Sequence, residues 1–334
     1  MKKSILFFLL IFVFGKLFGQ NTQNQRPYFI KVGVSYLDNY VYNGRSDSLK
    51  TPYFIPSLTV VYDSSLTING NLYYLTQGED AGLDFLELNA SYEFDIAKKL
   101  SAGIYGTKYF YKGSSNAITG NINAILGANL GYDFDVFEVN IGTYFLFTNN
   151  HTDINFNPGI ERTFFFGAKQ EWKLLPSFYL NFSTLNFYNG FSTRQASKRL
   201  INSKVTNPNL AKFESVTSVT DVGMKLLDYE LSLPLTYENT KWGISLEPTL
   251  AFPKNTIHTN TQTLKLFSNG TIQVISDRDS TPYSEKNLTS IFYTQLSVFL
   301  KFLHDKGWEL NEDFTNTFVA LKTLCYGFIE LKTT

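Results

Sequence analysis

Hydrophobic and polar residues alternate along most of the chain. In SLTINGNLYYLTQ, residues 65–77, Leu66, Ile68, Leu72 and Tyr74 share one parity with Gly70, and Thr67, Asn69, Asn71 and Tyr73 share the other. Successive side chains of a strand point to opposite faces, so the segment predicts a strand with one oily side. Twelve such segments recur, at about 28–42, 53–63, 65–76, 82–95, 98–111, 116–134, 135–148, 153–169, 171–184, 222–238, 241–251 and 289–302. Most exceed the roughly five or six residues of a soluble strand and suit the roughly 9–11 residues that cross a bilayer when tilted. In 116–134, Ile118, Ile122, Ala124, Leu126, Ala128, Leu130, Tyr132 and Phe134 oppose Thr119, Asn121, Asn123, Gly127, Asn129 and Asp133. In 228–238, Tyr229, Leu231, Leu233, Leu235 and Tyr237 oppose Asp228, Glu230, Ser232, Thr236 and Glu238. A soluble sandwich would alternate in the same way, with its polar face to water.

Connection lengths decide between the two. Links near 63–65, 95–98, 133–135, 169–173 and 238–241 are tight, whereas 43–51, 77–81, 112–116, 149–153, 185–221 and 252–288 are longer. Short turns at one end and long loops at the other describe an all-β fold, a transmembrane antiparallel up-and-down β-barrel of about 12 strands with periplasmic turns and long outer loops. Tyr62, Tyr92, Phe94, Tyr132, Phe134, Tyr237 and Trp242 gather beside the tight turns on the apolar parity, as in an interfacial aromatic girdle. Phe110, Phe145 and Phe147 suit the opposite girdle. Pro56, Pro158, Pro176, Pro234 and Pro248 interrupt the strand patterns and imply bulges or strand ends, since proline cannot donate to a ladder.

Composition adds the address. MKKSILFFLLIFVFGKLFGQ has a basic start, a short apolar run and Gly19 before Gln20, so residues 1–20 are expected to be an export signal peptide. Its removal takes Lys2, Lys3 and Lys16 from 29 basic side chains against 29 acidic ones and leaves a mildly negative chain. Nothing in this balance points to nucleic acid. Cys325 is the single cysteine, so disulfides do not hold the body together. Residues 21–302 are then the barrel, and 303–334 a C-terminal tail in which Phe314, Phe318, Leu321, Cys325 and Phe328 have roughly helical spacing.

Three stretches carry a resemblance. In NYVYNGRSDSLKTPYFIPSLTVVY, residues 39–62, Tyr42, Gly44, Ser46 and Pro52 follow a layout similar to that of Bacteroidetes-type outer-membrane barrel proteins, porin-like and of undefined substrate. Asn43 stands where that layout has arginine, with Arg45 two places on; NPGIERTFFFG, residues 157–167, resembles the same proteins. The resemblance implies fold and location only. SIFYTQLSVFLKF, residues 290–302, resembles the terminal strand of such barrels through Leu296, Val298, Leu300 and Phe302, which implies recognition by the barrel-assembly machinery.

Candidate chemistry is sparse. Of three histidines, His151 and His258 fall in expected outer loops and His304 in the tail, and no cluster has metal-ligand spacing. Neither an enzyme, a metal nor a cofactor is expected. DRDS, residues 277–280, reads as a polar turn. The expected inner wall is rich in Asn, Ser, Thr and Tyr and acid-biased, with Glu87, Glu93, Glu138, Glu161, Glu230 and Glu247 against Lys31, Arg162 and Lys301. The reading is a narrow passive channel for small polar or cationic solutes, lined by Asn71, Glu87, Asn89, Asn121, Asn123, Glu138, Asn140 and Glu230. The alternatives are a non-conducting surface or scaffold barrel that binds a partner through loops 185–221 and 252–288, and an outer-membrane enzyme using His151 or His258. Outer-membrane lipid is the expected solvent of the oily face.

Overall fold

A computed structural model describes residues 28–46, 50–78, 81–113, 115, 117, 119–149, 151–187, 212–219, 223–255, 258–266, 272–275, 283–284 and 288–304, with backbone alone for 212–219, 258–266, 272–275, 283–284 and 303–304. The expected signal peptide, Ile118, DRDS and the tail from 305 onward, with its helical spacing, lie outside the described residues. Residues 29–302 form the barrel unit.

The chain closes into a twelve-strand antiparallel barrel. Seven staves are continuous from the start: β1 (Tyr28–Leu37), β2 (Tyr53–Tyr62), β3 (Leu66–Leu75), β4 (Gly82–Ala97), β5 (Leu100–Tyr111), β6 (Ile122–Asp133) and β7 (Glu138–Thr148). The eighth is β8 (Thr152–Glu161) carried on by β9 (Phe164–Phe166), and the ninth is β10 (Trp172–Leu174) carried on by β11 (Ser177–Ser183). Beyond β12 (Lys212–Val219), the tenth is β13 (Lys225–Ser232) carried on by β14 (Leu235–Glu238), and the eleventh is β15 (Trp242–Pro253). After β16 (His258–Leu266), β17 (Ile272–Ile275) and β18 (Tyr283–Ser284), β19 (Ile291–His304) is the last stave and pairs with β1 to shut the ring. At that seam Asp38 N donates to Thr294 O at 3.1 Å, and Thr294 N donates to Asp38 Oδ1 at 2.7 Å. Closure leaves the barrel no strand edge to protect.

Local sequence explains the ends and breaks. Asp63 and Ser64 both adopt positive φ, and Ser65 N donates to Tyr62 O at 3.2 Å, a two-residue turn whose twist suits a hairpin. Pro176 and Pro234 sit in the gaps between β10 and β11 and between β13 and β14, where their carbonyls accept from Arg162 N and Leu175 N. Pro158 and Pro248 stay within staves, in register with Ile141 and Thr294.

Two sequence expectations are corrected. The first strand ends at Leu37, not Tyr42, because 38–46 turns into the barrel. The sixth begins at Ile122, and a register shift between Ile122 and Ala124 turns Ile122 inward, where it is fully buried, although alternation placed it on the oily outer face. Within loops 185–221 and 252–288, β12 pairs with β16 from Lys212↔Leu266 to Val219↔Thr259, and β17 and β18 pair with β16 in turn.

The outer face is apolar on stave after stave. Tyr36, Leu58, Ile68, Leu88, Ile104, Leu126, Ile141, Ile154, Trp172, Leu231, Leu246 and Leu296 are exposed. Leaving apolar area in water costs about 25 cal/mol per Å², and soluble monomers rarely show contiguous patches above a few hundred Å². A ring of such residues on a closed barrel is solvated at low cost only by hydrocarbon.

Candidate functional site: the barrel interior

The interior divides into a filled half beneath the long loops and a cup beside the tight turns. The filling starts with residues 38–46 and 50–52. Tyr42 N donates to Arg45 O and Arg45 N to Tyr42 O, at 2.8 and 3.1 Å, around Asn43 and Gly44, both at positive φ. This Asn-Gly turn lies against the wall: a side chain at position 44 would overlap Asp228. Arg45 is almost fully buried, and its guanidinium donates to the carbonyls of Asn43, Leu227, Lys254 and Asn255 at 3.0–3.1 Å. One planar fork thus ties the loop tip to the ends of β13 and β15.

Around this latch the lumen is packed with side chains. Tyr53, Phe85, Ile122, Leu146, Leu185, Phe187 and Leu227 have essentially no exposure. Tyr73 stacks on Phe85 at 4.1 Å, and Tyr40 stands edge-on to Tyr53 and Phe85. Tyr42 reaches across the ring to Tyr144 on β7, with oxygens 3.4 Å apart. Burial pushes the hydroxyls of Tyr40 and Tyr42 up, so both stay protonated and available as donors. Tyr53 donates to Asp84 at 2.6 Å and Tyr111 to Thr119 O at 2.7 Å, giving the buried hydroxyls acceptors. Asp153, fully buried, accepts from Thr184 Oγ1 and from the amides of Asn186 and Phe187, which draws the start of loop 185–221 inward. Both carboxylate oxygens of Asp228 and the amide nitrogen of Asn43 are buried beneath the loop tip.

The other half holds a half-open cavity of about 640 Å³. Its carboxylates are Glu93, Glu138 and Glu161, its amides Asn129, Asn140 and Asn157, and its rings Tyr105, Tyr144 and Tyr179. Most of these residues lie within a few positions of the tight turns, so the cup opens on that side. Room comes from glycine. Gly127 is in register with Tyr105 and Gly159 with Tyr179, and each ring lies so close over its glycine that any side chain would overlap it. Tyr179 donates to Glu161 at 2.6 Å. The three basic side chains expected on the inner wall are engaged elsewhere. Lys31 and Lys301 both pair with Glu238, at 3.1 and 2.8 Å, and Arg162, expected on the inner wall, donates to Asp135 O outside the cavity lining.

Of the residues expected to line a pore, Glu138 and Asn140 lie on the cup. Asn71 donates to Glu87 at 2.9 Å and Asn89 to Thr107 at 2.8 Å, as cross-strand pairs on the inner wall. Glu230 sits beside Asp228 on β13, in register with Tyr179. Asn121 is in the turn before β6 and Asn123 bonds Asn149 at the loop end, so neither belongs to the cup. Outside, Phe166, Trp172, Tyr237 and Trp242 form a chain of rings 5.1–6.1 Å apart, with Tyr92–Phe94 and Tyr132–Phe134 pairs further round and Tyr62 half-buried. Leu296 and Val298 are exposed on β19, with Leu300 and Phe302 less so. His151 is exposed in the turn between β7 and β8, where its carbonyl accepts from Thr148, and His258 is in β16.

Sequence reasoning missed Arg45, Asp153 and the tyrosines of the plug. The signal was there: Tyr40, Tyr42 and an Asn-Gly-Arg turn are an odd composition for a solvated loop.

The fold and interior together define a closed barrel with a partly filled lumen and an oily outer face. No family model matches the chain, and no curated protein does. Among solved structures it is similar to an outer membrane channel from Pseudomonas putida F1, at 9% identity and TM-score 0.29, covering 85% of this chain and 98% of that one. It is also similar to a porin (9%, TM-score 0.29, 82% and 100% covered) and to OccAB3 of Acinetobacter baumannii (7%, TM-score 0.32, 84% and 100%). With scores this low, the functional reading rests on the chain's own residues.

Proposed function

We propose that this chain is an outer-membrane barrel that passes small polar or cationic solutes through a lumen gated by its inward-folded loop. The tight turns then face the periplasm, β19 is the strand read by the barrel-assembly machinery, and the aromatic chain from Phe166 to Trp242 sits at the lipid interface. The observation that carries the reading is the asymmetry of the interior: a polar, acid-biased cup below, and above it a plug whose tip hangs on one guanidinium. A twelve-strand barrel has a lumen between those of filled eight-stranded and open sixteen-stranded barrels, wide enough for one loop to fill or vacate. Proteoliposomes carrying the wild type are expected to retain glucosamine and glucuronate alike, and those carrying Arg45→Ala to leak glucosamine faster. Equal leakage of both solutes from folded Arg45→Ala protein would reject the cation preference, and no leakage of either from protein whose 38–46 amides exchange faster would reject the gate.

A second reading, a non-conducting surface platform, draws on the β12–β16 pairing, which joins the two long loops into one sheet. It gains if Arg45→Ala barrels stay impermeable.

A further inference from the structure

The cup's charge is one-sided, and its geometry says what would balance it. Glu138 and Glu161 are direct register partners on β7 and β8, and Glu93 lines the same space from β4. Like charges placed opposite one another on neighbouring strands repel and destabilise the pair. Among the described residues, none that lines the cavity is basic. Glu138 Oε1, Ser101 Oγ and Asn140 Oδ1 converge over Gly131 so closely that any side chain there would overlap all three, which concentrates acceptors at one point of the wall. The remaining wall offers the rings of Tyr105 and Tyr179, whose faces attract cations. The volume lies within the roughly 300–1,000 Å³ of small-molecule sites.

We propose that the cup is a binding site for a small hydroxylated organic cation, its ammonium between Glu138 and Glu161 and its polar body against the tyrosine rings and amides. The inference rests on the polar-solute reading above and names the ligand class it leaves open. A cation here offsets the repulsion between the two carboxylates, whereas a neutral polyol leaves it in place and an anion adds to it. Charge therefore sets the preference more than shape does.

The test is calorimetric titration of the full-length barrel in micelles with glucosamine, choline, glucose and glucuronate. Glucosamine should bind at least about tenfold more tightly than glucose, the scale of one charge-assisted hydrogen bond, and glucuronate more weakly than either. Glu138→Gln with Glu161→Gln should bring glucosamine down to the level of glucose, while Glu247→Gln, elsewhere on the inner wall, should leave the preference intact. Folding of each variant is checked by heat-modifiable migration on gels. Equal affinity for glucosamine and glucose, or failure of both glucosamine and choline to bind folded wild type, would overturn the proposal. Binding is measured with the lumen shut, so it is independent of passage: an impermeable Arg45→Ala barrel that still discriminates the sugars sinks the gate and keeps the cup.

Discussion

At the scale of single residues, Arg45 matters most. A buried guanidinium needs acceptors in the low-dielectric interior, and here they are main-chain carbonyls from the loop itself and from two neighbouring staves. Arg45→Ala should cost the plug about 3 kcal/mol through lost charge-assisted hydrogen bonds and orphaned carbonyls. Amide hydrogen exchange across 38–46 should then accelerate about a hundredfold while β3–β6 stay protected. Arg45→Lys should restore little, because an ammonium cannot span carbonyls set for a fork. Unchanged exchange in Arg45→Ala would show that the aromatic packing alone holds the loop. None of this is legible from alternation. The residues were visible as a tyrosine–asparagine–glycine–arginine turn, but which wall the turn meets depends on Asp228 and Leu227, more than 180 positions away.

At the scale of elements, alternation gave the staves because each has one oily and one polar face, and the tight turns because two-residue hairpins need φ > 0 at their centre, as at Asp63 and Ser64. It failed at Ile122, where the bulge changes which parity faces in; a one-residue slip inverts every side chain beyond it. The inner wall also pairs rings with glycines. Gly159→Val should force the Tyr179 ring off its neighbour and destabilise the barrel by about 2 kcal/mol, the usual cost of overpacking. Adding Tyr179→Ser should recover most of the loss of heat resistance, and no recovery would place the strain in the backbone instead. The sheet of the long loops has its own test. With Cys325 changed to Ser, cysteines at the register partners Ser215 and Thr263 should form an intramolecular disulfide, and cysteines at Ser215 and Thr261 should not.

At the scale of the whole molecule, two solvents meet in one wall. Leu88, Leu126 and Leu246 face outward and exposed, while Glu87, Gly127 and Glu247 beside them in sequence take the inner face. That division was readable from composition by parity. The division of the lumen into plug and cup was not, because both halves draw on the same residue types, Tyr, Asn, Glu and Gly, and what separates them is the inward fold of residues 38–46 and 185–187. With Trp308 changed to Phe, fluorescence of Trp172 and Trp242 should be quenched more by labels near the lipid headgroups than by labels at mid-chain, placing the ring chain at the interface.

The central claim is that loop 38–52 is what shuts this barrel. Its most direct test is planar-bilayer recording of the wild type beside a variant in which residues 39–51 are replaced by Gly-Ser-Gly. The account predicts a silent wild type and steady, cation-preferring conductance steps from the folded variant. Steady conductance from the wild type, or silence from the folded variant, would contradict it.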